Sequence, residues 1–180
     1  MTEQAPASPN FYVVGFMGTG KSSISRRVAR KLGMQFLDTD YEIEKAEGMP
    51  ISQIFAEHGE AYFRKLEWEY IEQGHPSQGC VVSCGGGLIT QDGIADLMKS
   101  RGVLLCLHAS VETILSRTSG NTKRPLLQVD DPEARIRELL AERQPYYSLA
   151  PVSVLTDQRS IPEVVEHVVR SYRTMTRSRS

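Results

Sequence analysis

Gly15-Phe16-Met17-Gly18-Thr19-Gly20-Lys21-Ser22 is the segment whose residue types and spacing carry the most definite chemistry. An apolar run, Phe11 to Val14, precedes it, and a helical pattern, Ser23 to Leu32, follows it. Strand, glycine-rich loop and helix together are the setting of a phosphate-cradling loop. Gly15 and Gly20 let the backbone turn with its N–H groups pointing inward. Lys21 reaches outer phosphates, the Ser22 hydroxyl suits Mg²⁺, and the positive end of the new helix faces the anion. A plain strand-to-helix turn would not need all four fixed positions of that motif filled.

Further groups lie downstream. Asp38 and Asp40 close a short stretch, Met34 to Leu37. Carboxylates at the carboxyl end of a strand sit where open α/β sheets place their ligands. Thr39 or Asp40 also reads as the cap of a helix over Tyr41 to Glu47, and capping by one leaves the other for chemistry. Arg64 falls on a partly apolar side of a helix expected over Glu60 to Gln73, within reach of Glu60, Glu67 and Trp68. Cys80 to Ser83 runs into Cys84-Gly85-Gly86-Gly87, whose backbone a ligand can approach closely, although a simple turn explains the triplet as well. The polar segment Ser119 to Leu127 places Lys123 and Arg124 before Pro125. It reads as a mobile lid of an ATP enzyme or as an ordinary surface loop. Arg143 lies seven residues after Ile136 on an apolar helix face, and an arginine there needs an anion nearby.

The elements that must position these groups alternate. Strands are expected at Phe11–Val14, Met34–Leu37, Cys80–Ser83, Gly102–Leu107 and Val152–Thr156. Helices are expected at Ser23–Leu32, stopped by Gly33, at Tyr41–Glu47, in a segment capped by Ser52, and at Glu60–Gln73. Others are expected at Asp92–Lys99, at Val111–Thr118, from Pro132 to about Gln144 with Pro145 as the stop, and from Ile161 to about Tyr172. Five strands alternating with helices imply one doubly wound parallel sheet with helices on both faces, a three-layer α/β domain spanning residues 1–180. Residues 1–10 and 173–180 read as loose ends. His75, beside Pro76, reads as exposed, and His108 as a polar strand end.

Composition excludes several classes. A chain of 180 residues supports one core, and a net charge of -1 gives no nucleic-acid surface. Cys80, Cys84 and Cys106 lie in or near apolar runs without Cys-x-x-Cys spacing, so they read as reduced core thiols. No apolar stretch is long enough for a membrane span, and the first ten residues lack signal-peptide character, so a cytoplasmic protein is expected.

In order and spacing, the segments jointly resemble the shikimate kinases. They are Gly15 to Ser22, Asp38-Thr39-Asp40, Gly59-Glu60-x-x-Phe63-Arg64-x-x-Glu67 and Ser83-x-Gly85-Gly86-Gly87. Asn121-Thr122-x-Arg124-Pro125-Leu126-Leu127 and Arg143-x-Pro145-x-Tyr147 complete the set. The resemblance implies a P-loop, nucleoside monophosphate kinase-like fold with strand order 2-3-1-4-5. It also implies transfer of the γ-phosphate of ATP to the 3-hydroxyl of shikimate on the route to chorismate and the aromatic amino acids. Residues about 39–73 would then bind substrate, and about 117–130 would form the lid.

Carried over position by position, Lys21, Asp40 and Arg124 take catalytic roles. Gly18, Thr19, Gly20, Lys21, Ser22, Ser23, Arg117, Arg124 and Arg159 take the nucleotide. Asp40, Arg64, Gly85, Gly86, Gly87 and Arg143 take shikimate, and Ser22 with Asp38 holds Mg²⁺. Ser83 stands where many P-loop enzymes have an aspartate, which leaves Asp38 as the nearest acid. A monomer is the usual state for small kinases of this type. A gluconate kinase-like enzyme and a catalytically silent nucleotide-binding module are the alternatives. Paired Arg64 and Arg143, suited to a carboxylate, weigh against the first, and the full set of charged residues against the second.

Overall fold

The computed structural model describes residues 8–119, 127 and 129–177. Short, largely apolar segments form the strands: β1 (Asn10–Gly15), β2 (Gln35–Asp38), β3 (Cys80–Ser83), β4 (Gly102–His108) and β5 (Val152–Leu155). They make a single sheet of order β2-β3-β1-β4-β5 in which every pairing is parallel, as expected. Such a sheet must be covered on both faces, and alternation along β1 shows how. Phe11 and Val13 face a core shared with α1 (Lys21–Leu32) and α8 (Ile161–Arg177), through Ile24, Val28, Val165 and Val168. Tyr12 and Val14 face the other core. Ile71 of α4 (Glu60–Gln73), Met98 of α5 (Ile94–Arg101), Ile114 of α6 (Val111–Thr118) and Leu139 of α7 (Pro132–Tyr147) fill it. A smaller cluster of Ile43, Ile54 and Phe63 joins α2 (Thr39–Glu47) and α3 (Ile51–His58) to α4.

Parallel pairing brings all carboxyl ends to one edge. Gly15 is level with Leu107, and Asp38 with Ser83. At Gly15 the chain leaves β1 at φ +143°, and a Cβ there would stand 2.3 Å from the Leu107 carbonyl oxygen, so only glycine lets β1 turn so close to β4.

Several element ends differ from expectation. Helix α1 begins at Lys21 rather than Ser23, and α2 begins at Thr39 without a side-chain cap, its Thr39 hydroxyl being used elsewhere. Pro50, not Ser52, precedes α3, as its fixed φ suits the helix entrance. Pro145 does not stop α7. It gives up one hydrogen bond, to the Ala141 carbonyl, and the helix still continues two residues and buries Tyr147 completely. The loose tail is shorter than expected, because α8 runs to Arg177 and keeps Tyr172 packed on Phe11. Asn10 is not loose either: it is fully buried, and its side-chain oxygen accepts from the Cys80 N–H at 2.9 Å. The three cysteines are buried free thiols. Among the described residues no helix is long and apolar enough to cross a membrane.

His75 is buried, not exposed. It lies against the Tyr12 and Tyr70 rings and within 3.3 Å of the Tyr12 hydroxyl. Burial lowers its pKa from the usual range, against a hydrogen bond with the Pro76 carbonyl and in the same sense as nearby Arg101. The folded state therefore holds neutral imidazole. As pH falls below about 6.5 the unfolded chain takes up the proton first, and this contribution to stability is lost by at most about 1.4 kcal/mol per pH unit. The stability difference between wild type and His75→Gln in urea should shrink from about pH 7.5 to about pH 5.5. A difference independent of pH would contradict this.

Candidate active site

The phosphate loop is built for an anion. Helix α1 has no side-chain N-cap and no acidic residue in its first turn, so its positive end is left uncompensated. Gly18 and Gly20 have φ of 79° and 88°, which carries the chain around. Inside the turn the Thr19 hydroxyl donates to the Phe16 carbonyl at 2.7 Å, and the Lys21 ammonium donates to the same oxygen at 2.9 Å. Lys21 thus folds back over the loop it serves. Ser22 Oγ donates to Asp38 Oδ2 at 2.7 Å and lies 3.3 Å from Ser83 Oγ. Ser23 is exposed beside it.

The three glycines after β3 each touch a different charged group. The Gly85 N–H donates to Thr39 Oγ1 at 2.9 Å, which ties the glycine loop to the start of α2. A Cβ on Gly85 would stand 2.6 Å from Asp40 Oδ1 and 3.0 Å from Glu67 Oε1. The Gly86 carbonyl accepts from Arg143 Nη1 at 3.3 Å and from the Tyr147 hydroxyl at 3.2 Å. Gly87 lies on the Arg64 guanidinium, where a Cβ would be 2.7 Å from Nη2. Arg143 also sits over the Phe16 ring at 5.5 Å, which links the phosphate loop to this cluster. Lys21, Ser22, Asp38, Asp40, Arg64, Gly85, Gly86, Gly87 and Arg143 thus form one chain of contacts.

Burial sets the electrostatics. It pushes the Asp40 carboxyl up to about 6, Asp38 adding to the shift and Lys21 opposing it. Glu67 is 1% exposed, and burial pushes it up to about 7 against the pull of Arg64. Arg64 is held by Glu67 at 2.7 Å and by Glu60 at 2.9 Å. Both pairings were open from sequence; stacking on Trp68 is not what holds it.

The remaining expected residues lie elsewhere. Arg117 at the end of α6 donates to the Gly18 carbonyl at 3.1 Å and to Thr156 Oγ1 at 3.0 Å, so it bridges the phosphate loop and the end of β5. Arg159 is exposed and turns to His167 on α8 at 2.9 Å, with no contact to the phosphate loop. Arg124 and most of the segment expected as a lid lie outside the described residues.

In the sequence Glu67 is visible only as a possible partner of Arg64, Tyr147 only as part of the Arg143 segment, and Gln91 not at all. Glu67 stands three residues after Arg64, a spacing that announces a pair but not its burial. Tyr147 stands within the Arg143 motif. Gln91, whose amide donates to Glu67 Oε2 at 3.1 Å, carries no sequence signal.

Among the described residues there is no cluster of three or more His, Cys, Asp or Glu side chains able to hold a metal. The Ser22 hydroxyl and Asp38 carboxylate, both oxygen donors beside the phosphate loop, form the kind of sparse set that holds Mg²⁺ together with bound phosphates.

A family model described as shikimate kinase matches residues 17–173. A shikimate kinase of Thermodesulfovibrio yellowstonii is 42% identical over 171 residues, covering 95% of this chain and 99% of that protein. The structure of an Acinetobacter baumannii shikimate kinase in complex with shikimate is similar at TM-score 0.86 and 37% identity, covering 93% of this chain and 94% of that one. A gluconokinase structure from Sinorhizobium meliloti, at TM-score 0.53 and 17% identity over 96% of this chain and 95% of that one, shares the fold alone.

Proposed function

The chain belongs to the shikimate kinase family, and on that premise we propose that it moves the γ-phosphoryl group of ATP onto the 3-hydroxyl of shikimate, releasing shikimate 3-phosphate and ADP. The observation that carries the site assignment is the glycine loop. Three successive residues meet Asp40, Arg143 and Arg64, so one carboxylate and two guanidinium groups surround a surface that has no side chain of its own. A small anion bearing hydroxyls matches that arrangement. Arg64 and Arg143 take its carboxylate by charge-assisted hydrogen bonds, and Asp40 takes its reacting hydroxyl.

The 3-oxygen attacks the γ-phosphorus while the bond to the β-phosphate oxygen breaks. Asp40 accepts the hydroxyl proton and later returns it to water. A carboxyl raised to about 6 is mainly ionised at neutral pH and is more basic than an exposed aspartate, which suits this task. Lys21 leaves the Phe16 carbonyl for the phosphates, and the open amides of α1 hold them; positioning and charge supply most of the catalysis. Gly18, Thr19, Gly20, Ser22 and Ser23 contribute to the same cradle. Ser22 and Asp38 would hold Mg²⁺, which withdraws charge from the phosphate oxygens when bound. We assign Arg117 to the adenine side and Arg124, outside the described residues, to the moving phosphoryl group. Arg159 would have to leave His167 to join the nucleotide. A cytoplasmic monomer is the form we assign; the buried free thiols accord with a reducing compartment.

A coupled assay with shikimate, gluconate and nucleoside monophosphates tests the acceptor. ADP release with shikimate alone is expected, and phosphorylation of gluconate in its place would overturn the assignment. Arg143→Ala should raise the KM for shikimate about 10–100-fold while the KM for ATP changes less than about threefold, because its partner is the substrate carboxylate. Equal effects on both would contradict that role.

A further inference from the structure

The Arg64 guanidinium has five N–H donors. Nε and Nη2 go to Glu60 Oε1 at 3.2 and 2.9 Å, and Nη1 goes to Glu67 Oε2 at 2.7 Å. One N–H is left on each terminal nitrogen, enough for a forked grip on a substrate carboxylate. The two anchors are unequal. The Glu60 side chain is 65% exposed and that of Glu67 is 1% exposed, so water loosens the first and not the second. The aim of Arg64 is therefore set by Glu67, and what holds Glu67 matters in turn.

The charged groups facing Glu67 are Arg64 and Glu60 on its own helix and Asp40 from α2. The neutral donor to it is Gln91, whose Nε2 reaches the same Oε2 that accepts from Arg64. Gln91 comes from a different element, directly after the short 3₁₀ turn Leu88–Thr90. Its backbone is fixed on both sides: its N–H donates to the Leu88 carbonyl at 3.3 Å, and its carbonyl accepts from the Ile94 N–H at 3.2 Å. The Thr90 hydroxyl closes that turn onto the Gly87 carbonyl at 2.7 Å. The amide is thus delivered to Glu67 by the same backbone that presents the glycine loop.

We propose that Gln91 is a positioning residue for the substrate carboxylate site: it orients Glu67, and through Glu67 the free edge of the Arg64 fork. The inference rests on the assignment of Arg64 to the shikimate carboxylate. Glu67 shares one oxygen between two donors on separate elements, so loss of the amide leaves the carboxylate steered by Arg64 alone and free to be drawn with it.

Gln91→Met keeps the length of the side chain and removes the donor, and Gln91→Glu places a second carboxylate against Glu67. Shikimate affinity is read from the fluorescence of Trp68, the single tryptophan, which follows Glu67 in sequence. Gln91→Met should weaken shikimate binding and raise its KM about fivefold to tenfold, with kcat and the KM for ATP within about twofold. Gln91→Glu should do more. Burial already pushes Glu67 up to about 7 and a donor to the carboxylate favours its ionised form, so the Gln91→Met loss should be greatest in mild acid and recover in part towards about pH 8.5, where only the lost orientation remains. A merely structural role would lower the melting temperature and move both KM values without that recovery. Shikimate binding by Gln91→Met within about twofold of wild type at every pH overturns the inference and leaves the function standing. A wild-type protein that neither binds nor phosphorylates shikimate removes both.

Discussion

Replacing Asp40 by Asn should lower kcat for shikimate phosphorylation by about 10²–10⁴-fold and leave ATP binding within about twofold of wild type. The amide keeps the shape that lies against Gly85 but has no basic oxygen to take the hydroxyl proton. Nothing in the site replaces it well. Asp38 is turned to Ser22, and Glu67 is held by Arg64 and Gln91. In wild type the ionisation of Asp40 should appear as an acid limb in kcat/KM for shikimate. Asp40 is raised to about 6 and must be deprotonated to act, so activity rises with pH through that region. Glu67 lies near enough to add its own raised ionisation, and the limb then belongs to the pair. Asp40→Asn should remove most of the Asp40 part of this limb along with the rate. Steady-state rates together with equilibrium ATP binding check the expectation, and near-wild-type turnover would take Asp40 out of the mechanism.

Gly85→Ala should reduce kcat/KM for shikimate by about 100-fold with little change in the KM for ATP. The added Cβ would stand 2.6 Å from Asp40 Oδ1 and 3.0 Å from Glu67 Oε1, closer than carbon and oxygen pack without a bond. Neither carboxylate is a loose surface group. Asp40 lies in the first turn of a helix that Thr39 pins to the loop, and Glu67 is buried under Arg64. Displacing either by about 1 Å moves the proposed base or the proposed carboxylate grip off its geometry, at a cost of that order. The phosphate loop has no side chain in the clash, so ATP should bind normally. Substrate-binding and rate measurements on the variant decide the matter; unchanged shikimate kinetics would mean that the loop yields and that the contact is not part of the site.

The phosphate loop was legible in the sequence because its chemistry is local. A strand, spaced glycines, Lys21 and Ser22 occur in one continuous segment, and the backbone does the rest. The parallel sheet was legible for a similar reason, since buried strands alternating with helices admit few arrangements. Asp38, Asp40, Arg64 and Arg143 were visible as polar groups at suspicious places, and Glu60 and Glu67 as possible partners of Arg64, but the partners of the others were not. Burial of Glu67 depends on α4 packing beside the glycine loop, and the Gln91 amide reaches Glu67 across 24 residues of chain. Neither fact has a spacing to betray it. Pro145 misled because the cost of its one missing hydrogen bond is outweighed by the burial of Tyr147, which tertiary packing sets and the local sequence does not show. His75 misled because its neighbour is a loop proline, whereas its environment is set by Tyr12 and Tyr70 from other elements.

The acceptor itself is the claim on which the rest depends. Purified protein with ATP, Mg²⁺ and shikimate as the sole acceptor should release one ADP for each shikimate consumed, and phosphorus NMR of the product should show an ester coupled to the proton on carbon 3. ADP release that does not depend on shikimate, or an ester on another hydroxyl, would contradict the placement of Asp40, Arg64 and Arg143 around the substrate.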